Sequence, residues 1–370
     1  MVTYVEPMVV PYNEPNPVKK IERMARICYQ SVGKTTEGSG DRLIKSIITS
    51  GHHSCLEHYR FKIYGKMGFD SMLDIVAAAN PDYLKIKIDA NGDEWLYGNI
   101  RAFRDAYVNV NGECEAVRVL LSKLAAYHPI FFEDLVTPSS VRLPDPMFQI
   151  EEADDYQSFI IDTDIGVCKE FTRHRANMSF SVESTRYCNY NKRGMVFCLP
   201  YPYAWGWDDT KYNTLQKVCS YIVTNTKDRF IKINGKEECL WYKKDGSDDW
   251  TVTEVGQEYI TNLVKRRIAW DKANRMAEAS YNEMLESGAH PQEARAVLPH
   301  SLKCQMGVTA TTGAWAHFFH LRYDKAHAHP QIFYIAEKAL DYLKDLMPAK
   351  IVHRYDEFDF QEIDKILDPK

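Results

Sequence analysis

The alternation of apolar and polar positions predicts a chain of helices with a few interspersed strands. Asn16-Pro17 is a typical helix start, a capping side chain followed by proline at the first helical position. Apolar residues then recur at helical spacing from Ile21 to Cys28. A long helix is predicted over 254–287 and ends before Gly288, which is a common residue just beyond a helix. Further helices are predicted over 41–50, 115–127, 165–173, 311–321 and 330–347, with a short one after His290-Pro291.

Strand signals are fewer. Residues 59–64 alternate between apolar and polar, which is typical of a half-buried strand, and 158–161 also read as a strand. A hairpin is predicted around Asn234-Gly235 within an irregular stretch at 199–252, and 85–112 is mixed and rich in turns. No regular βαβ series is present, so the fold class predicted is α+β, a mixed sheet flanked by helices.

Composition narrows the function. The 370 residues include 46 Lys+Arg and 51 Asp+Glu, a net charge of −5, which argues against a general polyanion binder such as an RNA-binding protein. No apolar run reaches the roughly 18–20 residues that a membrane span needs, and no signal peptide is visible. Nine scattered cysteines without a CxxC pair indicate reduced thiols. A cytoplasmic protein without a membrane or nucleic-acid partner is therefore expected.

The densest chemical cluster is Arg173-His174-Arg175 with the hydroxyl-rich run that follows it, up to Tyr187. Guanidinium groups match phosphate and carboxylate geometry, and serine and threonine hydroxyls complete such a cradle. A solvated basic patch is the alternative. Met178, Phe180 and Val182 are interleaved with the polar residues, which favours arginines that line an anion-binding cleft.

A second cluster, 51–58, reads Gly-His-His-Ser-Cys-Leu-Glu-His. Its histidines could bind a metal, but its HxxxEH spacing is one residue too long for a known zinc signature, so no metal is predicted. A third cluster places His317, His320 and Arg322 at the end of an apolar helix, where buried histidines with hydrogen-bond partners are the alternative. There is no GxGxxG motif, no GxSxG motif and no complete P-loop.

These blocks resemble the flavin-dependent thymidylate synthases (the ThyX family). The spacing from Arg173-His174-Arg175 to Ser184 is similar to the RHR-x(7–8)-S signature of that family. Residues 25–28 (ARIC), 51–58 (GHHSCLEH), 294–299 (ARAVLP) and 321–322 (LR) resemble its other blocks, in the same order. The resemblance implies a single domain over 1–370, with insertions at about 85–155 and 200–253 in a shorter family core.

The resemblance also implies an activity, the reductive methylation of dUMP to dTMP. Methylenetetrahydrofolate would donate the carbon, FAD reduced by NADPH would supply the hydride, and the enzyme would be a homotetramer with active sites shared between subunits. A non-catalytic nucleotide-binding protein and a histidine-rich metal hydrolase remain alternatives.

Site residues follow from the resemblance position by position. Arg322 is expected to polarise the uracil ring, and Ser184 is the second residue expected at the reaction centre, in dUMP binding rather than as a nucleophile. The dUMP-binding positions are Glu170, Arg173, Glu183, Ser184, Thr185, Arg186, Arg295 and Arg322. The flavin-binding positions are His52, Ser54, Glu57, Arg173, His174, Arg175, Thr311 and His317. The chain departs from the family pattern at Thr311 and Gly313, where asparagine and arginine are usual, at Glu170, where glutamine is common, and at Glu183, which takes the place of the usual glutamate in a longer loop.

Overall fold

The computed structural model describes residues 2–65, 69–79, 83–138, 148–200, 230–233, 236–243, 250–324 and 327–346. The strands in these ranges are β1 (Thr3–Val5), β2 (Met8–Pro11), β3 (Arg60–Gly65), β4 (Leu84–Ile88), β5 (Glu94–Asn99), β6 (Phe148–Glu152), β7 (Tyr156–Asp164), β8 (Met178–Val182), β9 (Val196–Cys198), β10 (Phe230–Ile233), β11 (Lys236–Cys239), β12 (Trp241–Lys243), β13 (Trp250–Val252) and β14 (Lys303–Thr311). The α-helices are α1 (Pro17–Cys28), α2 (Ser39–Thr49), α3 (Phe69–Ala78), α4 (Ile100–Asn109), α5 (Glu115–Tyr127), α6 (Pro129–Phe132), α7 (Ile165–Phe171), α8 (Tyr190–Arg193), α9 (Glu254–Glu286), α10 (Pro291–Ala294), α11 (Thr312–Arg322) and α12 (Pro330–Leu346). Short 3-10 segments lie at Val32–Lys34, His53–His58 and Arg295–Val297. This mixture of helices and sheets confirms the α+β class.

The chain divides into two compact units. The first contains Met1–Pro7, Asp164–Gly166 and Asn189–Lys303, and the second contains Met8–Thr163, Val167–Cys188 and Cys304–Lys370. The single-domain organisation with two insertions stays a prediction.

The first unit contains the long helix α9. The Thr253 hydroxyl accepts the hydrogen bond of Gly256 N at 3.0 Å and caps the start of this helix, and Gly288 follows its end at a φ of +93°. Strands β1 and β9 pair in parallel, and β10 with β11 and β12 with β13 form antiparallel pairs. The predicted hairpin is confirmed by the β10–β11 register, although residues 234–235 and much of 199–252 lie outside the described residues.

The second unit contains two four-stranded sheets, with strand orders β2-β7-β14-β8 and β4-β5-β3-β6. The antiparallel β4-β5-β3-β6 sheet packs with α2, α3, α4 and α5 around a continuous hydrophobic core that includes Phe61, Phe103, Leu121 and Phe148. In the other sheet β8 pairs with β14, which runs directly into α11. Residues 173–175 lie just before β8 and α11 directly follows β14, so the two blocks are attached to neighbouring strands.

Two stretches differ from the sequence-based expectation. The turn-rich interpretation of 85–112 is wrong, because the chain forms β4, a tight loop, β5 and α4 there. In that loop Asp89 accepts backbone hydrogen bonds from Asn91 and Asp93, which closes a hairpin. The Asn99 side chain then accepts the hydrogen bond of Ala102 N and starts α4. Strand β14, whose alternate apolar residues are buried, carries a period-two pattern that the sequence analysis did not use.

Candidate active site

The arginine-rich segment lies in the connection between α7 and β8 and belongs to the second unit. The first residues of α7 belong to the first unit. Helix α7 ends at Phe171, and the backbone N–H groups of Arg173 and His174 donate to the carbonyls of Glu170 and Phe171. This tight turn exposes the side chains of Arg173 and Arg175 and buries that of His174. The three residues of one motif therefore occupy two different environments.

His174 joins the motif to the C-terminal block. Arg322, the last residue of α11, donates from Nε to His174 Nε2 at 3.1 Å and from Nη1 to Glu170 Oε2 at 2.9 Å. Burial, followed by the charges of Arg322 and His317, lowers the pKa of His174 to about 4. A neutral imidazole can accept a hydrogen bond from a guanidinium, so Arg322, His174 and Glu170 form a consistent donor–acceptor set.

Aromatic packing holds this set in place. The Phe318 ring stacks on Phe171 at a centroid distance of 4.6 Å and meets the His174 ring edge-on at 5.1 Å. Phe171 and Phe318 are fully buried, and the Arg322 side chain is 22% exposed. The guanidinium is therefore anchored at one end of an apolar helix and still reachable by a ligand. Its Nη2 makes no hydrogen bond to any described residue, so both N–H groups of that nitrogen remain available.

Arg173 and Arg175 are exposed and form no ion pair or hydrogen bond with the described residues. Exposed guanidinium groups without such partners can donate charge-assisted hydrogen bonds to an anion. The exposure of these two arginines supports the prediction of an anion-binding segment, which stays a prediction.

The loop after β8 carries the hydroxyl groups of the motif. Ser184 N donates to Cys28 O at 3.0 Å, and the Ser184 hydroxyl accepts the backbone hydrogen bond of Arg186 at 3.3 Å. Among the described residues no imidazole or carboxylate contacts this hydroxyl, so it lacks the base that a nucleophilic serine needs. The Arg186 guanidinium lies 5.3 Å from the centre of the exposed Tyr187 ring. Thr185 follows Ser184 in the same loop and is half-buried.

Glu183 is directed towards the sheet. It is 4% exposed, and its carboxylate accepts the hydrogen bond of Gln305 N at 3.3 Å. Gln305 also donates to Asp162 at 2.8 Å. Contact of Glu183 with a nucleotide stays a prediction.

The 3-10 segment His53–His58 displays a second group of candidate residues. His52 and Ser54 are exposed, and His52 Nδ1 lies 3.3 Å from the Tyr29 hydroxyl. Glu57 accepts a 2.6 Å hydrogen bond from Arg101, a residue of α4 that the sequence analysis did not single out. Only the cap signal at Asn99, which starts α4, could have placed Arg101 on a helix.

His58 has a different role from the histidines around it. It is fully buried, and its two ring nitrogens contact the hydroxyls of Thr309 on β14 at 2.7 Å and Ser181 on β8 at 2.9 Å. Burial is the main cause that lowers the pKa of His58 to about 3, with the charge of Lys20 adding to it. A neutral histidine thus fixes the 3-10 segment to two neighbouring strands.

The remaining predicted positions lie on α11 and in the first unit. Thr311 caps α11, where its hydroxyl accepts the hydrogen bond of Ala314 N at 3.3 Å. His317 is exposed, and its ring lies 6.1 Å from that of His174. An added Cβ at Gly313 would meet open space. Arg295 belongs to the first unit, in the 3-10 segment Arg295–Val297.

The histidines of 51–58 point to different partners, since His53 contacts the Ile48 carbonyl at 3.2 Å while His52 and His58 contact the hydroxyls given above. Within the described ranges no three His, Cys, Asp or Glu side chains converge on a position for a metal ion. None of the helices in those ranges is long and apolar enough to cross a membrane.

Comparison with known proteins gives a family. A sequence model of the family described as "thymidylate synthase complementing protein" matches residues 9–69 and 155–349, more than half of the chain. No curated protein matches the chain. Two crystal structures of the UMP/dUMP methylase PolB from Streptomyces cacaoi, bound with 5-Br UMP and with 5-Br dUMP, are similar to the chain at 17% identity and TM-scores of 0.36 and 0.35. The alignments cover 94% of this chain and 92% and 93% of the two PolB chains.

Proposed function

Because the chain belongs to the thymidylate synthase complementing protein family, we propose that it is a flavin-dependent thymidylate synthase. Its reaction is the reductive methylation of dUMP to dTMP, with methylenetetrahydrofolate as the carbon donor and NADPH as the source of reducing equivalents for FAD. The enzyme works in the cytoplasm as a homotetramer whose active sites are shared between subunits.

The observation that carries this proposal is the convergence of Arg322, His174 and Glu170. These side chains come from two sequence blocks about 150 positions apart, and they meet at hydrogen-bond distance. A guanidinium fixed by two acceptors and by buried aromatic rings is aligned before charge develops on a substrate, which is the condition for electrostatic catalysis. Addition of a hydride to a pyrimidine moves negative charge onto its carbonyl groups, and the Nη2 N–H groups of Arg322 can donate hydrogen bonds that stabilise this charge.

The positive charge of the exposed arginines suits the negatively charged diphosphate of FAD. Arg173 and Arg175 are exposed and without partners among the described residues, and together they can hold the flavin diphosphate with charge-assisted hydrogen bonds. His52 and Ser54 offer exposed polar groups on the 3-10 segment, while Glu57 is held by Arg101. Bound FAD, once reduced, supplies the hydride for the pyrimidine.

The flavin-binding position predicted at Thr311 already makes a contact within the protein. The Thr311 hydroxyl is already engaged as the cap of α11, and Gly313 offers no side chain. The exposed His317, also a predicted flavin-binding position, lies next to the His174 ring and is the side chain of α11 that we assign to the flavin.

For dUMP we propose the loop 184–186 as the main binding segment. The Ser184 and Thr185 hydroxyls and the exposed Arg186 guanidinium can together surround a phosphate. Glu170, Glu183 and Arg173 complete the proposed nucleotide site within the second unit, and the dUMP-binding role of Arg295 stays a prediction. Hydride transfer to the pyrimidine dispenses with a thiolate nucleophile, so no cysteine is assigned a role in the chemistry.

The absorption spectrum of the purified protein tests the proposal. The expected spectrum shows the two flavin bands, and NADPH bleaches them in the absence of oxygen. Folded protein that is colourless and fails to bind added FAD would overturn the flavin assignment. Binding of dUMP to such a protein would favour a non-catalytic nucleotide-binding protein, and tightly bound zinc would favour a metal hydrolase.

A further inference from the structure

An arginine outside the family motifs contacts one of the predicted flavin-binding residues. Arg101 lies in the first turn of α4, within the stretch 85–155 that is predicted to be an insertion, and between the two stretches that match the family. Its Nη1 donates to Glu57 Oε1 at 2.6 Å, and its Nε donates to Asp105 Oδ2, one helical turn further along α4, at 3.2 Å. All three residues belong to the second unit.

The backbone holds the start of α4 next to the segment that carries Glu57. Ile100 N donates to the Tyr59 carbonyl at 3.2 Å, and Tyr59 directly follows the 3-10 segment His53–His58. Strand β5, which leads into α4, pairs with β3, which follows the 3-10 segment. The two side chains are therefore attached to backbone segments that are hydrogen-bonded to one another, and Arg101 reaches Glu57 without a flexible connection between them.

This contact leaves part of the Glu57 carboxylate available to a ligand. The Glu57 side chain is 18% exposed, and the Arg101 side chain is 40% exposed. Glu57 Oε1 is bound by Arg101, whereas Oε2 makes no hydrogen bond to a residue of the described ranges. An ionised carboxylate accepts hydrogen bonds on both oxygens, so Oε2 can accept one from an N–H or O–H group of a bound cofactor.

A carboxylate beside FAD needs a compensating charge. FAD carries a negatively charged diphosphate, so the charge of Glu57 alone would oppose binding of the cofactor. The Arg101 guanidinium compensates it through a charge-assisted hydrogen bond. Asp105, the other partner of Arg101, is 39% exposed, so water screens its charge more strongly than that of Glu57. The positive charge of Arg101 therefore acts mainly on Glu57.

We propose that Arg101 is a positioning residue of the flavin site. It holds Glu57 in the conformation that offers Oε2 to FAD, and it compensates the negative charge that Glu57 would otherwise set against the diphosphate. The inference rests on the proposed function, which assigns FAD to this site, and it adds a residue from the predicted insertion to that site. Because Arg101 acts through Glu57, its effect on FAD binding depends on the presence of the Glu57 carboxylate.

A double-mutant cycle tests this dependence. FAD is titrated into the deflavinated full-length protein, and the Kd is read from the change in flavin fluorescence. Arg101→Ala should raise the Kd by about tenfold, whereas in the Glu57→Ala background the same change should alter it by less than about twofold, since no carboxylate is left to position. Arg101→Lys keeps the charge and should recover most of the affinity. Arg101→Gln removes the charge with a smaller change in packing and should weaken binding as the alanine variant does.

Stability is measured on the same variants. The pair of Arg101 and Glu57 is partly exposed, so the urea unfolding midpoint of FAD-free Arg101→Ala should stay close to that of the unmodified protein. Arg118→Ala is the matched control, because Arg118 is an exposed arginine on α5 whose side chain forms no ion pair within the part of the chain that the structure describes. It should change neither the Kd for FAD nor the unfolding midpoint.

Two results would overturn the inference. If Arg101→Ala leaves the Kd unchanged, or raises it equally with and without the Glu57 carboxylate, Arg101 does not act through Glu57. If the unfolding midpoint falls together with the affinity and Arg101→Lys restores neither, Arg101 is a structural residue. Protein that binds FAD with the expected differences among the variants but forms no dTMP would contradict the proposed reaction alone. Protein that does not bind FAD at all would overturn both.

Discussion

Replacement of Arg322 by alanine separates its proposed catalytic role from a structural one. The side chain donates one hydrogen bond to Glu170 and one to His174, and its Nη2 is the part proposed to face the pyrimidine. Arg322→Ala removes all three at once. Arg322→Lys is the matched variant, because it keeps the charge and removes the planar fork that serves several acceptors.

The structural cost of Arg322→Ala is small. The side chains of Arg322 and Glu170 are 22% and 31% exposed, so solvent screens their ion pair to about 0.5–1 kcal/mol. The hydrogen bond to neutral His174 adds roughly 0.5–1.5 kcal/mol. Their sum is well below the about 5–15 kcal/mol that stabilises a typical domain, so the variant is expected to fold.

The catalytic cost is larger. Loss of a prealigned donor to developing negative charge typically slows a reaction by about 10²–10³-fold, or about 3–4 kcal/mol. The assay is single-turnover oxidation of the NADPH-reduced enzyme by dUMP and methylenetetrahydrofolate. We expect that rate to fall by this factor while flavin binding and reduction by NADPH persist. Loss of flavin would make Arg322 a cofactor-binding or structural residue, and an unchanged rate would remove it from the mechanism.

A spectroscopic readout tests the local electrostatics. Burial is the largest cause of the low pKa of His174, about 4, and the charge of Arg322 is the second. In Arg322→Ala the pKa of His174 should rise but remain below 6.5, because burial persists. An NMR titration of His174 measures it. A pKa that stays at its original value would contradict the contact between the two residues.

The remaining predictions concern the flavin, the thiols and pH. Arg173→Ala combined with Arg175→Ala should give folded, colourless protein, because two charge-assisted contacts worth roughly 1.5–3 kcal/mol each are lost; a fully yellow double variant would refute the assignment. Replacement of Cys55 and Cys188 by serine should leave turnover under reducing conditions within about tenfold, and complete loss of turnover with flavin and fold retained would indicate covalent catalysis. Burial lowers the pKa of His58 to about 3, so the unfolded state binds the extra proton below pH 6.5 and stability should fall from there towards pH 3, by up to about 1.4 kcal/mol per pH unit. Urea unfolding at several pH values measures this slope, and His58→Gln should flatten it; equal slopes in the two proteins would contradict the prediction.

Helices with complete local signals could be predicted from the sequence. Asn16 accepts the hydrogen bond of Lys19 N and starts α1 as expected, and Gly288 follows α9. These signals depend on neighbours within a few residues, so the sequence carries them in full. The pairing of β14 with β8 depends instead on contacts between distant segments, and its short apolar alternation gave too weak a signal.

In the candidate site, too, local features could be predicted from the sequence and contacts between distant segments could not. The clusters around His174 and Arg322 could be identified from residue type and spacing. The sequence could not reveal that the two clusters meet, nor that Glu57 pairs with Arg101 in a stretch expected to be an insertion. It also could not separate the buried His58 from the exposed His52, because burial is a property of the packed chain.

The most direct test of the central claim is the formation of dTMP from dUMP by the purified protein. Product is measured by chromatography after incubation with FAD, NADPH and methylenetetrahydrofolate without oxygen. The account predicts dTMP in amounts that exceed the enzyme concentration, and none when NADPH or methylenetetrahydrofolate is omitted. Absence of dTMP from folded, flavin-loaded protein, or formation of dTMP by protein that carries no flavin, would contradict it.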